Sequence, residues 1–176
     1  MEFRPCAVSD ACLIVPQAHA DDRGSFSRIW CAKEFEQQGL VHRVVQINAA
    51  RSHRAGTLRG MHYQRAPHDE AKIVRCNRGS VFDVVLDLRP SSPSYKRWFG
   101  VELSESNGKM LYVPEGCAHG YQTLTDDAEL MYFTSSFYAP AAATGVRHDD
   151  PAFGIGWPLA VTGLSQQDRG WPDFKD

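Results

Sequence analysis

Apolar and polar positions alternate with a period of two along much of this chain. In residues 80–89 (SVFDVVLDLR), Phe82, Val84, Leu86 and Leu88 fall on one face, with Asp83 and Asp87 on the opposite one, the signature of a β-strand. Short apolar runs at residues 11–15, 43–48, 72–76, 97–104, 109–113, 117–124 and 129–137 predict further strands. Turn chemistry punctuates them: Asn77-Arg78-Gly79, Glu105-Ser106-Asn107-Gly108 and Asp126-Asp127 are the residue types that tight connections demand. The strongest helix signal is residues 32–38 (AKEFEQQ), closed by Gly39. That helix is short and is expected on the surface.

Strands at short, regular intervals with no intervening helices point to an all-β sandwich or barrel and away from a parallel βαβ sheet. The 176 residues are enough for one domain, read here as residues 1–176. With 43% hydrophobic and 23% charged residues the composition is that of a globular protein. A net charge of −2 argues against nucleic-acid or membrane-surface binding. No apolar run is long enough for a membrane span, and none follows Glu2 and Arg4 as a signal peptide requires. Cys6, Cys12, Cys31, Cys76 and Cys117 are odd in number and form no CxxC pair, which reads as buried thiols in a reducing cytoplasm.

The candidate chemistry lies in a few segments. GTLRGMHYQ (56–64) sets Arg59 and His62 in a strand-like stretch, and Lys72 and Arg75 follow on the next predicted strand. Together they could line a cavity for an anionic ligand, although a lone strand histidine is more often structural. YVPEGCAHGYQ (112–122) carries a PxGxxH half-motif ending at His119, which resembles that of cupins, the double-stranded jelly rolls. Metal-binding cupins have HxH in the first half-motif; here the second position is Gln64, too few ligands for a metal. Asp69-Glu70 reads as a solvated loop, Tyr132 as a core tyrosine and Asp168 as a turn or helix-cap residue. Phosphate-cradling loops are missing; Gly154-Ile155-Gly156 lacks the third glycine and the following helix.

Taken in order, DDRGSF (21–26), QIN (46–48), LRGMHYQ (58–64), KIVRCNRGSVFDVVLDLR (72–89), SPSYKRW (92–98), LYVPEGCAHGYQTL (111–124), ELMY (129–132), FYAP (137–140), DDPAFGIGWP (149–158) and LSQQD (164–168) resemble the dTDP-4-dehydrorhamnose 3,5-epimerase family. The resemblance covers most of the chain and implies a cupin jelly-roll sandwich with one or two short helices. It implies a cofactor-independent cytoplasmic isomerase of deoxysugar biosynthesis. The substrate is a nucleotide-linked 4-keto-6-deoxyhexose, in first place dTDP-4-dehydro-6-deoxyglucose, epimerised at C3 and C5. It also implies a homodimer that exchanges N-terminal strands, so that an Arg of one subunit reaches the other's site.

Residue by residue, the resemblance makes His62 the base, Tyr132 the opposing acid, Asp168 the partner orienting His62, and Lys72 the stabiliser of the enolate. Arg23, Phe26, Gln46, Asn48, Arg59, His119 and Tyr138 become substrate contacts. These residue types suit the chemistry: a proton next to a ketone needs a near-neutral base, and the enolate oxygen needs a cation. The chain departs from the family pattern at Arg28 and Ala143, where glutamate is common, and at Gln167, where lysine is common. The departures keep three alternatives open: another nucleotide carrier, a C3-only epimerase, or a non-catalytic nucleotide-sugar-binding cupin.

Overall fold

The computed structural model describes residues 1–175. In chain order its elements are β1 (Glu2–Pro5), β2 (Cys12–Val15), β3 (Ala18–Asp21), β4 (Gly24–Ser27), α1 (Ala32–Gln37), β5 (Gln46–Ser52), β6 (Leu58–Gln64), β7 (Lys72–Arg78), β8 (Ser80–Asp87), β9 (Trp98–Ser104), β10 (Met110–Val113), β11 (Cys117–Thr123), β12 (Ala128–Thr134), β13 (Ala143–Gly145) and α2 (Gln166–Arg169). A six-stranded sheet, β1-β2-β10-β7-β12-β5, faces a five-stranded one, β13-β6-β11-β8-β9. The strand pairings in both sheets are antiparallel. From β6 to β12 the chain passes repeatedly from one sheet to the other, and this is the expected jelly roll. Hairpin β3–β4 pairs only with itself and carries exposed side chains.

Alternation on each strand sends one set of side chains inward. Val74, Cys76, Leu111 and Leu130 of the first sheet meet Val81, Val85, Leu103 and Tyr121 of the second at the closed end of the sandwich. Both outer faces are covered as well. Ile14, Ile73, Met110 and Phe133 pack under α1, and Met61, Val84 and Leu86 pack under Val146 and Phe153 of the C-terminal segment. The helix is therefore less superficial than its length suggested: Phe35 is fully buried, a contribution of roughly 1.5–3 kcal/mol.

Because the second sheet is covered on its outer side, the alternation in β8 has a different meaning from the one read in the sequence. Phe82, Val84 and Leu86 point to the C-terminal cover, and the face bearing Asp83 and Asp87 lines the interior of the sandwich. Both carboxylates have no solvent exposure. Among the described residues the cysteines are all free, and no helix is long and apolar enough to cross a membrane.

Candidate active site

Away from the closed end, the same inward positions change from apolar to polar. They line a cavity of about 740 Å³ between the sheets. Gln46 and Asn48 come from β5, Lys72 from β7 and Tyr132 and Thr134 from β12 on one wall. The facing wall supplies Arg59, His62 and Gln64 from β6 and His119 and Tyr121 from β11. Each set keeps the two-residue period that a strand requires, with one exception.

The exception is the pair Arg59 and His62, three residues apart, which a regular strand would place on opposite faces. The register explains it: His62 is opposite His119 and Arg59 opposite Tyr121, so β6 spends one residue more than β11 between them. This is a β-bulge, and it restores both side chains to the cavity. Gly60 makes it possible. Its φ is +129°, and a Cβ there would stand 2.5 Å from Gly120 Cα and 2.9 Å from the His119 carbonyl oxygen. A side chain at Gly120 would in turn stand 2.6 Å from Met61 Sδ.

His62 is joined by a residue from the far end of the chain. The backbone N–H of Leu58 donates to the Gly163 carbonyl at 2.8 Å, and a parallel bridge links Thr57 to Gly163. This runs the C-terminal segment alongside the start of β6. Ser165 then caps the single turn α2 by accepting from the Asp168 N–H at 3.0 Å. The turn delivers a buried Asp168 to the imidazole, with Oδ1 2.5 Å from His62 Nε2. Burial works to raise the Asp168 pKa, but the bond and charge of His62, with help from Ser165 and the Gly60 N–H, outweigh it and hold the carboxyl below its ordinary range. An ionised carboxylate can only accept, so His62 donates from Nε2 and its Nδ1 is left to take a proton. The ring is 42% exposed, open to a ligand in the cavity.

His119 has a matching partner that sequence reasoning passed over. Its Nε2 lies 2.8 Å from Asp83 Oδ1. Burial pushes the Asp83 pKa up, while His119 and Lys72 pull the other way. Asp83 Oδ2 has no hydrogen-bond partner among the described residues. The available signal was two aspartates in the middle of an apolar run: in a strand covered on both faces such groups must be buried, and a buried carboxylate needs a partner.

Glu70 is the second residue missed. It is not a solvated loop residue: its side chain is 12% exposed, lines the cavity and lies 3.0 Å from Lys72 Nζ. Tyr132 stands on the same wall, two strand positions from Thr134, which is opposite Lys72. Burial raises the Tyr132 pKa and the Glu70 charge adds to that, against Arg59; the hydroxyl therefore keeps its proton at neutral pH.

Gln46 donates from Nε2 to Asn48 Oδ1 at 3.0 Å, and its Oε1 accepts from the N–H of the exposed Tyr138. Gln64, at the position where a metal-binding cupin carries a second histidine, spends its amide inside the chain. It donates to the His68 and Phe137 carbonyls and accepts from the Ala139 N–H. Among the described residues no group of three or more His, Cys, Asp or Glu is arranged to hold a metal ion.

Arg23 and Phe26 do not line this cavity. Both sit on the β3–β4 hairpin, where Arg23 pairs with Asp21 and its side chain is 91% exposed. Of the three departures from the family pattern, Ala143 and Gln167 line the cavity, whereas Arg28 pairs with Glu34 away from it.

Residues 5–176 match the family model for dTDP-4-dehydrorhamnose 3,5-epimerase. The chain is 40% identical to a dTDP-4-dehydrorhamnose 3,5-epimerase from Sinorhizobium fredii, over 99% of this chain and 90% of the relative. Among solved structures it is similar to the dTDP-4-dehydrorhamnose 3,5-epimerase of Bacillus anthracis with TDP and PPi bound, with a TM-score of 0.94, 36% identity and coverage of 98% and 99% of the two chains. It is also similar to ChmJ, a 3'-monoepimerase from Streptomyces bikiniensis in complex with dTDP-quinovose, with a TM-score of 0.89, 38% identity and coverage of 97% and 86%.

Proposed function

Because the chain belongs to the dTDP-4-dehydrorhamnose 3,5-epimerase family, a family of isomerases, we propose that its cavity takes dTDP-4-keto-6-deoxyglucose and exchanges protons at C3 and C5 beside the C4 ketone. The observation that carries this reading is an imidazole–carboxylate pair and a phenol on facing sheets, which we read as base and acid. His62 with Asp168 stands on one wall, Tyr132 on the other, and Lys72 beside Tyr132.

At each centre the C–H bond breaks and the proton passes to His62 Nδ1. The electron pair forms a C=C bond and leaves an enolate on the ketone oxygen, which Lys72 stabilises. Asp168 stabilises the imidazolium and fixes its tautomer. Tyr132 returns a proton from the opposite face as the ketone re-forms, inverting the centre. His62 and Tyr132 then recover their starting states by proton exchange with solvent. Arg59 grips the pyrophosphate; His119, held by Asp83, together with Gln46, Asn48 and Tyr138, contacts the rest of the substrate.

The working unit in this reading is a homodimer. Phe26, Ile47, Phe137 and Tyr138 are 56–70% exposed, and β5 ends its sheet with an unpaired edge. A second copy covering them would bring Arg23 and Phe26 of its hairpin to this cavity. Light scattering is expected to give twice the chain mass.

The similarity to a 3'-monoepimerase favours one alternative, exchange at C3 alone. NMR of the sugar after incubation in D₂O decides between them: label at C3 and C5 supports the first reading, label at C3 only the second, and no label overturns both. His62→Asn is expected to lower the exchange by at least about 100-fold, with dTDP affinity unchanged within about twofold.

A further inference from the structure

Three of the basic groups that line the cavity, His62, His119 and Lys72, each have their own carboxylate, whereas Arg59 donates to Ser52 Oγ and the Arg51 carbonyl. Asp168 stands behind His62 and Asp83 behind His119. In the third pair, Glu70 with Lys72, the carboxylate itself lines the cavity, as Asp168 does and the buried Asp83 does not. A carboxylate there repels the diphosphate of the substrate, so it weakens binding unless it does something for the reaction. Resting on the function proposed above, we propose that Glu70 is a positioning residue of this site, fixing the Lys72 ammonium and setting a negative charge in the cavity that the Tyr132 hydroxyl faces.

The backbone around Glu70 is held at several points. The Ala71 N–H donates to Ser135 Oγ at 2.8 Å, the Ser135 N–H donates back to the Ala71 carbonyl at 3.0 Å, and Ser136 Oγ donates to the Asp69 carbonyl at 2.6 Å. Residues 69–71 are thus fastened to the chain just beyond β12, the strand that carries Tyr132. Glu70 and Lys72, two residues apart at the start of a strand, point the same way, and their side chains are only 12% and 10% exposed.

Lys72 has three N–H donors. Glu70 takes one and thereby restrains a flexible side chain, leaving the others for the enolate oxygen. Without that anchor the ammonium has four rotatable bonds of freedom and the fully buried Asp83 as the competing attraction. The charged and titratable groups that share the cavity with Tyr132 are Glu70 and Lys72 on its own wall, Arg59, Tyr63, Tyr121, His62 with Asp168 and His119 with Asp83 on the facing wall, and Tyr138 beyond β12. Of these, Glu70 acts to keep the phenol protonated and Arg59 acts to ionise it. Burial is the larger cause that keeps the acid of the reaction protonated, and Glu70 adds to it without transferring a proton.

The test uses the full chain with Glu70→Gln, which keeps the shape and removes the charge, and Glu70→Asp, which keeps the charge. First, ¹³C NMR of tyrosine-labelled protein follows the titration of Tyr132 with no nucleotide sugar present, Tyr132→Phe assigning the signal. The Tyr132 midpoint is expected to fall by about half a pH unit or more in Glu70→Gln and to stay near the parent value in Glu70→Asp. Second, in the deuterium-exchange assay Glu70→Gln is expected to lower kcat by about tenfold, a fraction of what an acid–base group contributes, with KM equal to or below that of the parent because a like charge is gone. An unshifted Tyr132 midpoint, or a kcat within twofold of the parent, overturns the proposal. The NMR titration needs no turnover, so a parent protein that takes up no deuterium but shows the Tyr132 shift overturns the proposed function and leaves the Glu70–Tyr132 coupling standing.

Discussion

Asp83 and Asp87 lie on one strand, four residues apart, on the same inward face, and neither is exposed. Their surroundings are opposite. Asp87 is saturated: it accepts from the Arg89 N–H and guanidinium and from the hydroxyls of Ser92 at 2.5 Å and Ser94 at 2.6 Å. Burial works to raise its pKa, but those donors prevail and hold it well below the usual carboxylate range. Asp83 has His119 on one oxygen and, among the described residues, no hydrogen-bond partner on the other, and burial prevails in raising its pKa. Identical residues at equivalent strand positions thus serve different ends. Asp87 ties the 89–94 loop to the sheet, and Asp83 holds a ring at the edge of a cavity at some cost in stability. Saturation marks the structural carboxylate, and an unfilled lone pair marks the one whose use lies elsewhere.

The largest way to test this contrast is Asp87→Asn. It leaves Arg89 short of its main partner, and we expect a loss of about 3 kcal/mol in chemical denaturation, with exchange activity per folded molecule unchanged. Next is Asp83→Asn, which lets His119 turn; turnover is expected to fall about tenfold, equivalent to about 1.4 kcal/mol. The same substitution removes a buried charge, so its stability is expected to stay within about 1 kcal/mol of the parent.

The smallest and sharpest effect is in the pH dependence. The depressed Asp87 pKa gives stability that is present above the ordinary value of 3.8 and is lost as the pH falls. The raised Asp83 pKa gives stability that is present below 3.8 and is lost as the pH rises through its elevated value. Thermal unfolding between about pH 3 and 7 is expected to show a flatter acid limb in Asp87→Asn. In Asp83→Asn it is expected to show a steeper one, because a contribution that opposes acid unfolding is gone. Parallel curves for the two variants would remove the distinction.

The fold was largely legible in the pattern of side chains. Alternation, the turns at Asn77-Arg78-Gly79 and Asn107-Gly108, and Gly39 marked β8, its neighbours and α1 closely. Strands β1, β3, β4 and β13 escaped because their short or exposed sequences, such as His19 and Ala20 in β3, carry no burial pattern to read. The faces of β8 were legible only in part, since alternation reports that two faces differ and not which of them is covered. In the site, the pairing of His62 with Arg59 and Lys72 was within reach of local reasoning. The approach of Asp168 was not: it lies 106 residues from His62, and the backbone bridge at Thr57 and Gly163 that brings it there involves no distinctive side chain. Only the family resemblance pointed to it. Glu70 was misread because an acidic pair such as Asp69-Glu70 in a short connection usually is solvated, and the Ser135 and Ser136 bonds that fasten it come from another strand's end.

The contact between Gly60 and Gly120 has a consequence for anyone who recombines this scaffold with its relatives. The extra residue in β6 is accommodated only because two strands are bare at the same spot, so neither position can accept a side chain to suit the other. In a shuffled library, fragments 58–64 and 117–123 will need to come from the same parent or from parents that share both glycines. Crossovers that bring a bulkier residue to either position should vanish from the surviving population. Point substitutions at the cavity rim, at Ala143 in β13 and Gln167 in α2, leave this contact untouched and are the places where new substrate preferences can be sampled.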